Sequence, residues 1–202
     1  MEKRISTSYR KLDFNGLEYD PNRRISHMAL AEIYFYTATI NKWKKLLLRD
    51  DYKNIIIESL YHLSNTGIAD IYGFVIMPTH LHFIWKMNRL NGKESGQGSF
   101  LKYTAHMFLR KLRKENPGFL RSFEVKSKVK KHEFWQRDPD TFRLYTRPVA
   151  FQKLNYIHKN PLAAHWKLAL DPCDYKYSSA SFYSTGISEF KFLKDLRKVF
   201  DG

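Results

Sequence analysis

Cysteine is almost missing from this chain. Cys173 is the one thiol in 202 residues, so no internal disulfide can form and the fold rests on packing. Long apolar runs are missing too: no stretch approaches the ~20 residues that a membrane span needs. The opening residues, MEKRISTSYRKLDFNG, lack the apolar centre of a secretory signal. Together these absences predict a cytoplasmic protein with no membrane partner. Acidic residues are scarce beside basic ones, 20 Asp and Glu against 35 Lys and Arg. No glycine loop long enough to cradle a nucleotide phosphate is present, since Gly96-Gln97-Gly98 is too short, so no nucleotide cofactor is expected. No internal repeat appears, which excludes a solenoid.

What remains is a basic, aromatic, well-packed composition. With 43% hydrophobic and 16% aromatic residues the chain can bury the core of one domain. The net charge of +15 points to a polyanionic partner, because each phosphate neutralised releases condensed counterions. A generically basic, soluble surface is the other reading. The abundant aromatics favour nucleic acid, because they can stack on bases.

Residues 1–30 read as a basic N-terminal arm, with turn signals at Asn15-Gly16 and Asp20-Pro21. Residues 31–185 read as the functional domain and 186–202 as a basic C-terminal helix or tail. Within the domain, Ala31–Ile40 is β-branched and aromatic and predicts a strand. Asp50 or Asp51 offers an N-cap for a helix carrying Ile55, Ile56, Leu60 and Leu63, with Gly67 at its C-terminal cap. Ile68–Met77 and Leu81–Lys86 predict two strands joined at Met77-Pro78-Thr79, where a proline is tolerated. A Gly-rich loop over Asn88–Ser99 precedes a basic amphipathic helix over Phe100–Lys114, ended by Asn116-Pro117-Gly118. His132–Gln136 and Thr141–Tyr145 predict short strands. A helix follows from Pro148 to His158 or Lys159, where Pro161 blocks continuation. A basic helix is expected near Ser188–Phe200. The order strand–helix–strand–strand–helix–strand–helix predicts an α+β fold of ferredoxin-like or RRM-like type, an antiparallel sheet with helices packed on one face.

Two constellations carry possible chemistry. In a strand, His80 and His82 project from the same face while Leu81 points into the opposite layer. Two imidazoles so placed can share a divalent ion; they can equally be two partly exposed histidines beside a turn. On the helix before Pro161, Tyr156 and Asn160 are four residues apart and share a face. A phenol and an amide oxygen there can serve one site, or Tyr156 can pack on the core while Asn160 caps the helix. A neutral phenol is a weak nucleophile, and a metal beside it would relieve that weakness.

The segment Tyr72-Gly73-Phe74-Val75-Ile76-Met77-Pro78-Thr79-His80-Leu81-His82 resembles the histidine-hydrophobic-histidine signature of Y1 transposases. Tyr156-Ile157-His158-Lys159-Asn160-Pro161-Leu162-Ala163-Ala164 resembles their tyrosine segment, in the REP-associated branch of the IS200-like superfamily. Phe134-Trp135-Gln136-Arg137 and Tyr177-Ser178-Ser179-Ala180 are further echoes, in the expected order, and the resemblance spans about residues 31–183. It implies a metal-dependent single-stranded DNA endonuclease and strand transferase. Tyr156 would be the nucleophile forming a 5′-phosphotyrosine, and His80, His82 and Asn160 would hold Mg²⁺ or Mn²⁺. The partner would be single-stranded, hairpin-forming DNA, and the protein a monomer or homodimer. The sequence departs from the family at Leu162 and Ala164, where valine and glycine are common. Asn160 is shorter than the glutamine that related enzymes carry four residues after the tyrosine, and His158 is a competing third ligand.

The basic residues best spaced for phosphate contact are Lys126, Lys128, Lys130 and Lys131, which alternate along an expected strand face, and Arg110 and Arg113 on the amphipathic helix. A solvated charge run is the alternative for both. His62, His106 and His165 read as packing or surface residues. Tyr34 and Tyr36 alternate with Ile33 and Phe35, one face for the core and the other open to base stacking. Three rival readings stand: a domesticated binding protein on the same scaffold that holds single-stranded DNA or RNA without cutting it, a two-histidine phosphoesterase, and a zinc hydrolase. The second needs H-x-[ST] twice and finds it once, at His62-Leu63-Ser64. The third lacks a histidine three positions after His132-Glu133.

Overall fold

Alternation along one strand explains most of the architecture. In β1, Ile33–Thr39, the side chains of Tyr34, Tyr36 and Ala38 enter one apolar cluster, and Ile33 and Phe35 enter a second on the opposite face. The computed structural model describes residues 28–137 and 139–200, with the backbone of a small pair, Lys11–Leu12 and Glu18–Tyr19. The remainder of the arm, with its expected turns at Asn15-Gly16 and Asp20-Pro21, lies outside the described residues.

Helix α1, Asp50–Asn65, follows. Its N-cap is Arg49 rather than either expected aspartate; Asp50 and Asp51 fall in the first turn, where carboxylates complement the helix dipole. Gly67, at φ +70°, closes the C-terminal end as expected, and Ile68 N–H donates to Leu63 O at 2.9 Å. Strands β2, Ala69–Ile76, and β3, His80–Met87, then form an antiparallel pair across the Met77–Thr79 turn.

Helix α2, Gly96–Glu115, begins four residues before its expected start. Ser95 accepts a hydrogen bond from Gly98 N–H and nucleates the turn inside the Gly-rich segment. After the short helix α3, Pro117–Arg121, the lysine-rich 125–131 segment is not a strand. It is an exposed loop closed by a bridge between Glu124 and His132, in which Lys130 and Lys131 meet nearby glutamates. The expected strand at 132–136 is reduced to isolated bridges, one joining Trp135 to Ile40. Strand β4, Asp140–Arg143, completes the sheet, in the order β2-β3-β1-β4 with every neighbouring pair antiparallel.

The two long helices cover one face, over Tyr36, Phe83 and Trp85, as the expected ferredoxin-like layering requires. Helix α4, Arg147–Lys159, lies on the other face, burying Ala150, Leu154 and Ile157 against Phe35, Val75 and Ile84. Gly73, at a bulge in β2, makes this approach possible: a Cβ there would stand 2.7 Å from Leu154 Cδ1. Pro161 does not stop the helical path, which continues as a 3₁₀ turn over Asn160–Leu162 with the proline in its first turn.

The exposed edge of β2 is closed by the C-terminal third of the chain. Tyr177 O accepts from Ile76 N–H at 2.9 Å, and Lys194 N–H donates to Ile71 O at 2.8 Å. The helix expected near Ser188–Phe200 does not form; only a 3₁₀ turn at Arg197–Val199 is present. Pairing with β2 and burial of Phe192 and Leu196 outcompete its helical periodicity. The short helix α5, Ala180–Thr185, precedes it and ends at Gly186, φ +75°. Among the described residues no helix is long and apolar enough to cross a membrane.

Candidate active site

The face covered by α4 carries an open cleft of about 1010 Å³ where the helix leaves the end of the sheet. His80 and His82 enter it from β3, Thr37 and Thr39 from β1, and Lys153, Tyr156 and Asn160 from α4 and its 3₁₀ extension. Register places them: Thr37 pairs directly with His82 and Thr39 with His80, so all four project from one face.

Both histidines are buried, at 7% and 5% exposure, so the reading of two partly exposed histidines beside a turn is set aside. Each ring is anchored through Nδ1, His82 to Thr37 Oγ1 at 2.8 Å and His80 to Thr79 Oγ1 at 3.0 Å. With Nδ1–H donating, His82 Nε2 keeps a free lone pair, while the His80 ring also meets Asn160. Among the described residues His82 Nε2 is buried without a hydrogen-bond partner, and of the buried atoms left so it is the one on a side chain lining the cleft. The rings lie 4.9 Å apart. Burial lowers the His80 pKa to about 4, against a hydrogen bond to Asn160 that favours the charged ring. Burial, with the charges of His80 and Lys153, lowers His82 to about 3. Both imidazoles are therefore neutral near pH 7, the form that ligates metals.

Tyr156 is not a core residue. It is 51% exposed, with its ring 5.4 Å from His82 and 6.1 Å from Phe35. Asn160 does cap α4, and it also contacts His80 from within the same cleft, so the two readings of this residue coexist. His158 turns away: Nε2 meets Ser179 Oγ at 2.8 Å beneath the Tyr183 ring, which removes it as a ligand in this arrangement. Burial lowers its pKa to about 4 as well. Among the described residues no three His, Cys, Asp or Glu side chains gather as a metal site. The donor set is thus two imidazoles and an amide.

The six basic residues singled out for phosphate contact stand elsewhere. Arg110 and Arg113 are exposed on α2, the layer opposite the cleft, and Lys126, Lys128, Lys130 and Lys131 sit on the exposed loop. None lines the cleft, and two are engaged locally, Lys130 with Glu133 and Lys131 with Glu124. Instead the cleft's cations are Lys153 and Lys159 on α4 and Arg137 beside Gln136. Lys153 was legible as one helical turn before Tyr156, on the same face. Trp43, Trp166 and His165 line the cleft too, and nothing in the local pattern announced Trp43. Tyr34 and Tyr36 belong to the core, and Phe35 is the aromatic that reaches the cleft.

Among solved structures, the chain is similar to a REP-associated tyrosine transposase bound to a REP hairpin, with a TM-score of 0.57 and 15% identity. The match covers 86% of this chain and 92% of that one. At that identity the likeness is one of fold. No family model matches the sequence, and no curated protein does.

Proposed function

We propose that the chain cuts and rejoins single-stranded DNA, with Tyr156 as nucleophile and His80, His82 and Asn160 as the seat of a divalent cation. One observation carries this reading: a half-exposed phenol stands 5.4 Å, ring to ring, from a buried imidazole whose Nε2 has no partner among the described residues. The likeness in fold to a transposase bound to a DNA hairpin supports it, as does the +15 charge.

The donor set fits a hard or borderline cation, because neutral imidazoles and an amide oxygen suit Mg²⁺ or, better, Mn²⁺. When bound, such an ion would withdraw charge from a phosphate oxygen and favour the phenolate. The chain's own residues do the rest. Thr37 and Thr79 hold the imidazoles in orientation. Lys153 and Lys159 draw the strand's phosphates into the cleft beside Tyr156. Tyr156 Oη bonds to phosphorus as the P–O3′ bond breaks; the phenol proton passes to solvent and the leaving 3′-oxygen takes one up. A 5′-phosphotyrosine and a free 3′-hydroxyl result. A second 3′-hydroxyl reverses the exchange and restores the phenol, so no nucleotide cofactor is consumed.

The test is incubation with labelled single-stranded hairpin DNA and Mn²⁺, followed by a denaturing gel. A covalent adduct is expected with the wild type and none with Tyr156→Phe, while DNA affinity stays within a few-fold. Replacing both His80 and His82 by Ala is expected to abolish the Mn²⁺-dependent adduct, and unchanged adduct formation would contradict the metal assignment. A strand that binds and is never linked to protein would assign the scaffold to binding alone.

A further inference from the structure

Two tryptophans border the cleft at His80, and the chain presents both through backbone that non-glycine residues rarely adopt. Trp43 is 59% exposed and lies edge-on to His80, 5.8 Å between ring centres. It ends a turn in which Lys42 and Trp43 itself have φ +55° and +53°. Trp166 lies 5.9 Å from His80, and the residue after it, Lys167, has φ +48°. Three of the four positive-φ non-glycine residues among those described therefore belong to the turns that carry these rings. Left-handed backbone at such residues persists where the surroundings demand it, and it gathers at functional sites.

Trp43 is not held in the core as Trp85 and Trp135 are, at 0% and 7% exposure, whereas Trp166 is half-buried and packs against the second apolar cluster beside the cleft. Each is set among cations, in the runs Lys42-Trp43-Lys44-Lys45 and Trp166-Lys167, with Lys42, Lys45 and Lys167 exposed. An open aromatic face next to positive charge is the chemistry that holds unpaired bases on a phosphate backbone.

We propose that Trp43, with Trp166, forms a nucleobase subsite that stacks an unpaired base next to the phosphate held at His80 and His82. The inference rests on the proposed single-stranded DNA substrate and names what seats it. Trp43 is a positioning residue here: it fixes the strand so that one phosphate, and not its neighbours, faces Tyr156. Paired bases expose no face to stack, so duplex DNA gains nothing from this subsite.

The test uses the full chain carrying Tyr156→Phe, so that binding is read without cleavage. Labelled single strands are titrated by fluorescence anisotropy, intact and with a single abasic position walked along the strand. On that parent, Trp43→Ala is expected to weaken single-strand binding about tenfold, within the range of one base–aromatic stack. One abasic position should cost the parent a similar factor and cost Trp43→Ala nothing further. Trp43→Tyr should restore most of the affinity, and thermal melting should not move, because the ring is exposed. Affinity within twofold of the parent in Trp43→Ala, or an abasic penalty that survives it, would overturn the subsite. So would an equal loss with duplex DNA. Failure of the wild type to form an adduct would refute the cleavage reading and leave these binding outcomes intact, so the two failures are distinguishable.

Discussion

The two faces of β3 differ more than any other pair of surfaces in the molecule. Leu81, Phe83 and Trp85 point into a buried aromatic layer under α1 and α2, where Tyr36 stacks on Trp85 at 4.7 Å. His80 and His82, the alternate residues, point into the cleft under α4, with threonine partners at Nδ1. One strand thus carries stability on one face and chemistry on the other, and a two-residue period separates them. The difference teaches where substitutions should separate the two properties.

The largest effect belongs to the core face. Phe83 is fully buried, and Phe83→Ala should cost about 3–5 kcal/mol. Chemical denaturation would read this, and adduct yield per folded molecule should stay near that of the wild type. A yield that collapsed in the folded fraction would break the separation of faces.

Acid should act next, through a residue on the cleft face that is not part of the cleft. His158 refuses a proton until pH about 4 in the folded chain, whereas an unfolded histidine accepts one near 6.5. Its folded pKa is lowered, so the unfolded state binds more protons below pH ~6.5. Stability is full above that pH and declines as pH falls toward 4, by about 3 kcal/mol at full development. Denaturation midpoints followed from pH 7 to 4 should fall less steeply in His158→Gln. Identical slopes would remove His158 from the account.

Gly73→Val sharpens the comparison from the other side. The added side chain meets Leu154 and Ile157 and pushes α4 off the sheet, at a cost of about 1–3 kcal/mol. Adduct formation should fall by more than stability does, at least tenfold, because Tyr156 moves with the helix. Smallest is Thr37→Val, which deletes the partner of His82 Nδ1. Mn²⁺ affinity measured by calorimetry should drop about 10–100-fold, with little change in melting temperature.

Legibility followed the same division. That His80 and His82 share one face, and Tyr156 and Asn160 another, was readable from the period of the elements that carry them; their roles were implied only by the resemblance to Y1 transposases. The antiparallel sheet and the helix layer of α1 and α2 followed from the order of elements, whereas α4 packs on the opposite face, which helices on one face did not foresee. Thr37 and Trp43 were not readable, because cross-strand register and a left-handed turn are set by the assembled sheet. The C-terminal segment misled for a related reason: its periodicity suits a helix, but the bare edge of β2 offers it backbone partners. The lysine loop misled because alternating charge resembles a strand with nothing to pair it.

The central claim is that Tyr156 Oη forms the bond to DNA. The most direct measurement is proteolysis of the covalent adduct, followed by mass spectrometry of the nucleotide-bearing peptide. The account predicts a 5′-phosphorylated nucleotide on the peptide containing Tyr156 and on no other. Attachment at a different tyrosine, or attachment through a 3′-phosphate, would contradict it.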